Sequence, residues 1–152
     1  MLEFENTITI NRPLSEVFDF VADPVNFPSW NYYVISVRKR SGGPIGVGAA
    51  YHQVRKTDEQ DFRITGFEPN HRVALKTSPR STPQLEMQLT FYEQAGATRL
   101  CDEWKLDTGL PASLEWLGAR RVRSAVAENL AKLKELLEEG RVVLQDGRQV
   151  II

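Results

Sequence analysis

One long helical pattern near the C-terminus most constrains what this chain can fold into. Residues 112–139 place apolar side chains on a single stripe and charged side chains on the opposite face. A helix of this length is roughly 40 Å long at 1.5 Å per residue. Gly140 follows as a typical helix stop. The stripe of this helix consists of Val122, Val126, Asn129, Leu130, Leu133 and Leu137.

The N-terminal residues predict a strand followed by a short helix. Apolar and polar residues alternate over residues 3–10, which is typical of a half-buried strand. Pro13 suits the first turn of a helix, where its missing N–H costs little. Apolar residues at helical spacing then continue to Val21. Pro24 ends this helix, because the residue before a proline is displaced from the α region.

The middle of the chain, from Tyr33 to Thr108, consists of alternating stretches separated by turn residues. Residues 85–91 give the clearest example, with large apolar side chains at every second position. Regular hairpins of this kind predict an antiparallel meander with one buried face and one wet face. In the tail, residues 141–152, an Asp146-Gly147 pair between β-formers predicts a short hairpin. An isolated hairpin is marginal in water, so it must pack on the domain or a second subunit, or stay mobile.

Length and charge exclude several classes of protein. The 152 residues predict one domain, which we place at residues 1–139 with a separate tail at 140–152. The formal net charge of -1 argues against a polyanion or a bulk membrane partner, so we expect no nucleic-acid binding. Short basic clusters such as Arg120-Arg121 are more typical of a solvated face.

The chain's cysteine content and apolar runs indicate its compartment. Cys101 is the only cysteine, so no intramolecular disulfide can form and a reducing compartment is expected. The first residues lack the basic and apolar regions of a signal peptide. No apolar run approaches the ~18 residues needed to span a bilayer. We therefore expect a soluble, cytoplasmic protein.

The order of these elements resembles a known family. A strand, short helices, an antiparallel meander and a long C-terminal helix are the elements of the helix-grip fold, and residues 2–139 resemble the START-like, birch-pollen-allergen-like (SRPBCC) superfamily. Within it the chain is most similar to small proteins of the polyketide cyclase/dehydrase type. The resemblance implies an α+β fold with a curved antiparallel sheet wrapped around the long helix. It rests on residues 10–18, Asp23-Pro24, residues 28–30, Val47-Gly48, residues 67–69, residues 96–98 and residues 129–134.

The implied architecture favours a ligand cavity. A curved sheet and a straight helix touch at one end and separate at the other, which leaves an elongated, mostly apolar pocket. The first half of the long helix turns Glu115, Gly118, Ala119 and Val122 toward the sheet, whereas the second half presents large leucines. The small residues either leave volume for a ligand or permit close packing of helix and sheet.

Two side chains are candidates for acid–base chemistry. Asp102 shares strand parity with Leu100 and Trp104, so we expect it to point inward, where burial would raise the pKa of its carboxyl. It would orient a ligand hydroxyl or act as a general acid or base. Alternatively, a bulge or a strand end lets it reach water or the arginines at 120–121. His52, two residues before Val54, is also expected inward, as a proton shuttle or as a satisfied polar group.

Other residues are predicted to line the cavity. Trp30 and Tyr33 would close one end and stack on a ring-containing ligand, although Trp30 alternatively acts as a wedge that fixes the connector. Trp104, on the inward face of its strand, is also expected to line the cavity. Met87 either adapts to a ligand or fills a core gap. Cys101 has the parity of the wetter face. The two histidines, His52 and His71, lack the spacing of metal ligands, so we expect neither metal nor cofactor.

Three hypotheses about function follow. The first is a protein that binds a small hydrophobic or aromatic molecule between the sheet and the C-terminal helix. The second is a polyketide cyclase- or dehydratase-like enzyme with Asp102 and His52 as acid and base. The third is an interaction module that forms a homodimer through its tail. The chain lacks the sequence motifs of serine hydrolases, P-loop NTPases and dinucleotide-dependent dehydrogenases.

Overall fold

The computed structural model describes all residues from Met1 to Ile152. It contains nine strands, two α-helices and one 3₁₀ helix. In chain order the elements are β1 (Leu2–Ile10), α1 (Leu14–Val21), the 3₁₀ helix (Pro24–Ser29), β2 (Val34–Lys39), β3 (Ala50–Arg55), β4 (Glu59–Glu68), β5 (Arg72–Thr77), β6 (Gln84–Gln94), β7 (Ala97–Asp107), α2 (Ala112–Glu139), β8 (Arg141–Val143) and β9 (Gln149–Ile151).

Seven strands form one antiparallel sheet in the order β1-β7-β6-β5-β4-β3-β2. Strands β2 to β7 follow one another as a meander, and β1 pairs with β7, where Ile8 faces Leu100. The pairing shifts register between Ile64 and Gly66 on β4, and such irregularities bend a strand and increase its twist. The predicted α+β helix-grip fold, with an antiparallel sheet and a long C-terminal helix, is confirmed.

The connector between α1 and β2 packs closely against the sheet. The Asp23 side chain accepts a hydrogen bond from the Val25 amide (3.1 Å) at the start of the 3₁₀ helix. At its end, Trp30 is buried and meets the ring of Phe27 edge-on at 5.8 Å. Phe27 in turn stacks on Phe62 of β4 at 6.2 Å. Aromatic contacts therefore fix this connector to the inner face of the sheet.

Helix α2 runs along the edge strand β1 in the same direction. The Asn6 amide nitrogen donates to the Arg123 carbonyl (3.2 Å) near the middle of both elements. Further along, the Lys134 ammonium donates to the Thr9 carbonyl (2.6 Å). The helix ends at Gly140, whose φ of 79° is in the left-handed region that glycine adopts without strain. Neither α1 nor α2 combines the length and the apolar character that crossing a membrane requires.

The main core lies beneath the second half of α2. Leu130, Leu133 and Leu137 belong there to one core with inward side chains of the sheet and of α1. In the first half, residues 112–125, Glu115 is the only buried residue. The helix therefore closes one half of the interior and covers the other half loosely, which fits the expectation from a straight helix on a curved sheet.

Strands β8 and β9 form an antiparallel hairpin that packs on the rest of the chain. Val142 and Leu144 are buried against Leu136 of α2, with Phe20 and Tyr32 beside them. This small second core covers the apolar face of the tail with residues of its own chain.

Candidate functional site

The candidate site centres on Asp102, on the inner face of β7. The residue is 1% exposed. Its neighbours across the sheet are Asn6 on β1 and Leu89 on β6. Its Oδ1 atom is buried and has no hydrogen-bond partner. Leaving a buried acceptor unpaired costs about 1–3 kcal/mol, so such a group calls for an explanation.

Burial sets the ionisation of this carboxyl. Loss of hydration raises the pKa of Asp102 to about 7. The indole N–H of Trp104, which lies near the carboxyl but does not meet hydrogen-bond geometry, offsets only part of that effect. No Lys or Arg forms an ion pair with it. Near neutral pH the carboxyl is therefore present in both its protonated and its ionised form, and it can donate or accept a hydrogen bond.

Trp104 adds a second unpaired polar group on the same face. Its ring stacks on Phe4 of β1, with centroids 5.6 Å apart. Met87 of β6 is its neighbour on the other side. The indole Nε1 is buried but has no acceptor. An unpaired donor and an unpaired carboxyl thus lie two residues apart among apolar side chains.

The first half of α2 runs along β1, the strand next to these two groups. The helix is tied to β1 at Asn6 and, near its start, by an ion pair between Glu115 and the Met1 amine. Residues 118–122 lie between these two contacts, at the level of Phe4 and Asn6. On β7, Phe4 neighbours Trp104 and Asn6 neighbours Asp102. The structure therefore brings three of the predicted lining residues, Gly118, Ala119 and Val122, to the level of Asp102 and Trp104.

Gly118 distinguishes the two interpretations of the small residues on α2. A Cβ atom built on Gly118 would meet no other atom within 4 Å. Close packing of the helix on the sheet therefore does not require glycine here. The observation favours the interpretation in which the small residues leave volume.

Glu115, another predicted lining residue, is engaged within the chain. Its carboxylate accepts hydrogen bonds from the Thr108 amide (2.9 Å) and hydroxyl (2.8 Å) and pairs with the Met1 amine. These partners lower the pKa of Glu115 to about 2. Its carboxylate fixes the start of α2 to the end of β7, so we assign it to positioning the helix.

The predicted inward position of His52 is wrong. Tyr51 and Gln53 face the core, and His52 points to the outer face of the sheet. There its Nδ1 lies 2.7 Å from Oδ1 of Asp61. The inward position was inferred from Val54, which lies two residues away and was taken for a core residue. Val54 is only half-buried and lies on the outer face, so His52 lies there too. His52 and Asp102 lie on opposite faces and cannot act on one bound substrate.

The aromatic residues of the connector lie away from Asp102. Trp30 is buried against Phe27, and its indole Nε1 is also buried without a hydrogen-bond partner. The Tyr33 hydroxyl lies 2.9 Å from that of Thr57, and the Arg55 guanidinium lies over its ring at 5.6 Å. Tyr33 therefore packs at the end of β2, outside the interior near Asp102.

Cys101 lies on the outer face, but the expectation of a wetter environment is wrong. The residue is buried, and its Sγ lies 3.3 Å from the Thr7 hydroxyl. Neighbouring strands cover it because β7 lies between β1 and β6 rather than at an edge.

The sequence reasoning missed three interior residues. Phe4 and Asn6 flank Trp104 and Asp102, and the Tyr51 hydroxyl is buried without a partner. The inward parity of β1 was visible in its alternation. Only its pairing with β7, about a hundred residues later in the chain, places these residues at the site.

Two surface grooves lie elsewhere. One, of about 640 Å³, separates α2 from the β8–β9 hairpin and is lined by charged residues including Lys134, Glu138 and Arg141. The other, of about 300 Å³, crosses strands β3 to β5 beside Arg40. Neither touches Asp102 or Trp104, and neither contains an unpaired buried carboxyl.

Comparison with known proteins gives a family and a shared fold. A family model described as polyketide cyclase / dehydrase and lipid transport matches residues 1–138. No curated protein matches the sequence.

Similar solved structures include three proteins of low sequence identity. DR_A0006 from Deinococcus radiodurans is 14% identical, with a TM-score of 0.68 over 92% of this chain and 99% of that one. XoxI from Bacillus cereus is 12% identical, with a TM-score of 0.73 over 91% and 97%. DynU16, of the dynemicin biosynthetic locus, is 20% identical with a TM-score of 0.69, and the match covers 97% of this chain and 56% of DynU16. At these identities the likeness concerns the fold.

Proposed function

Since the chain belongs to the polyketide cyclase / dehydrase and lipid transport family, we propose that it binds a small, largely apolar molecule between the sheet and the first half of α2. The observation that carries this proposal is the buried, unpaired carboxyl of Asp102 beside the unpaired indole N–H of Trp104. Native proteins retain few such groups, and a ligand that pairs with them removes their cost.

The surroundings of the two groups support a ligand class. Phe4, Met87 and Leu89 supply apolar surface around Asp102 and Trp104. A ligand hydroxyl can donate to the Asp102 carboxylate, and a ligand oxygen can accept from the Trp104 Nε1. Few polar groups within an apolar lining are typical of sites that orient a hydrophobic ligand. We infer a hydrophobic or aromatic molecule that carries a hydroxyl or carbonyl group.

The cyclase-like mechanism with Asp102 and His52 as partners is not proposed, because His52 faces the opposite side of the sheet. Homodimerisation through the tail is not proposed either. The buried side chains of the tail, Val142 and Leu144, already pack on Leu136 and its neighbours.

A pair of probes that differ in one hydrogen-bond donor tests the proposal. N-phenyl-1-naphthylamine fluorescence reports occupation of an apolar site, and 2-naphthol and 2-methoxynaphthalene compete with it. We expect 2-naphthol to bind about tenfold more tightly than its methyl ether, because only the hydroxyl donates a hydrogen bond to Asp102. Asp102→Leu should remove this preference while dye binding persists.

Glu103→Leu is the matched control, since Glu103 follows Asp102 on the exposed outer face. It should leave both affinities unchanged. Absence of dye binding to the wild-type protein, or a preference for 2-naphthol that survives Asp102→Leu, would overturn the proposal. Native mass spectrometry of protein purified without added ligand provides a second test. A molecule retained by the wild type and by Glu103→Leu should be lost from Asp102→Leu alone.

A further inference from the structure

An exposed apolar surface lies at the start of α2. Four large side chains there are more than half exposed: Leu110 (54%), Leu114 (52%), Trp116 (74%) and Leu117 (70%). We call these four residues the Trp116 patch. Around the helix, Leu117 lies nearly opposite the buried Glu115, and Leu114 and Trp116 lie on its two flanks, about 100° from Glu115. The patch therefore faces away from the interior and is separate from the site at Asp102.

The exposed charges that follow this patch on α2 are positive up to Arg123, and Asp107 is the exposed acid that precedes it. Arg120, Arg121 and Arg123 follow within two turns of the helix and are exposed. None of the three forms an ion pair. Glu115 is the only acidic residue from 108 to 127, and it is buried and paired with the Met1 amine. Residues 108–127 therefore present three exposed arginines without an ion-pair partner, on a chain whose net charge is -1.

We propose that the Trp116 patch docks this protein on an anionic lipid surface. A helical segment with Trp and Leu exposed beside arginines is typical of elements that lie at a membrane interface. Tryptophan favours the headgroup level, where one part of its ring is apolar and its N–H is hydrated. Basic residues next to an inserted apolar patch are attracted by the negative surface potential of the lipid. The near-neutral overall charge conceals this local asymmetry.

Charge also distinguishes a lipid surface from a second copy of the chain. A two-fold dimer through the Trp116 patch would place the unpaired arginines at 120–123 beside the interface on both copies. Neither copy offers a cluster of acidic residues from 108 to 127 to pair with these arginines, whereas an anionic surface complements them. The observations therefore favour lipid over self-association.

Vesicle sedimentation tests the proposal. The full chain is mixed with phosphatidylcholine vesicles, or with vesicles of phosphatidylcholine and phosphatidylglycerol at a ratio of three to one. We expect binding to the anionic vesicles at least tenfold stronger than to neutral ones, weakening as salt is raised. Trp116→Ala combined with Leu117→Ser should abolish binding, and Arg120→Glu combined with Arg121→Glu should weaken it about tenfold or more.

The matched control is Val143→Ser combined with Ile151→Ser, two exposed apolar residues on the β8–β9 hairpin. This pair should bind vesicles as the wild type does. All substituted residues are exposed, so unchanged circular dichroism and thermal unfolding should accompany the losses. No sedimentation with anionic vesicles, equal binding to neutral vesicles, or a dimer in light scattering that Trp116→Ala disperses would overturn the proposal.

Discussion

The ionisation of Asp102 predicts a pH dependence of stability that one isosteric substitution should remove. In Asp102→Asn the side chain keeps its shape and polar character but cannot ionise. The native state of the wild type holds the Asp102 proton more tightly than the unfolded chain does, because burial raises the pKa of this carboxyl from 3.8 to about 7. The free energy of unfolding must therefore depend on pH in the wild type through a contribution that the variant lacks.

The sign and size of this contribution follow from linkage. Below pH 3.8 the carboxyl is protonated in both states and costs nothing. As pH rises the unfolded chain ionises first, so the wild type loses stability until pH exceeds the folded-state pKa of about 7. A shift of about 3 units corresponds to about 4 kcal/mol at 1.36 kcal/mol per unit.

The assay is urea unfolding of wild type and Asp102→Asn at each pH unit from 4 to 8. We expect similar stability at pH 4, and an advantage for the variant that grows by about 1.4 kcal/mol per unit and levels near pH 7. Carboxylates with lowered pKa, such as Glu115 and Glu138, act in the opposite direction but equally in both proteins, so the difference isolates Asp102. A difference that stays constant from pH 4 to 8 would refute the reasoning.

The two halves of α2 should respond differently to substitution. Leu133→Ala, in the closed half, should lower the free energy of unfolding by about 2–5 kcal/mol. Gly118→Ala should raise it by up to about 1 kcal/mol, because the added methyl meets no atom and alanine favours a helix. Denaturant titrations check both, and a loss of stability in Gly118→Ala would contradict the open volume. Glu115→Gln should lower the free energy of unfolding at pH 7. This loss should shrink as pH falls from the ordinary pKa of 4.5 toward 2, since the lowered pKa of Glu115 contributes its full stability only above that window. A loss of stability that is independent of pH would exclude the ionic role.

Local patterns were sufficient for the elements of this fold. The alternation of β1 and of residues 85–91, and the stripe of α2, depend on side-chain periodicity, which neighbouring residues in the sequence already define. The inward position expected for Asp102 followed from the same periodicity and agrees with its burial. Parity failed at His52, where one valine on the outer face was taken for a core residue.

The tertiary structure decided what these elements form together. Asp102 lies beside Asn6, and Trp104 beside Phe4, because β1 pairs with β7, about a hundred residues away in the chain, and no local pattern specifies that register. The unpaired state of the carboxyl also depends on every atom around it. The sequence by itself determined the strands, the long helix and the family resemblance. Only the packing of distant elements determined which polar groups are left without a partner, because hydrogen-bond satisfaction is a property of contacts in three dimensions.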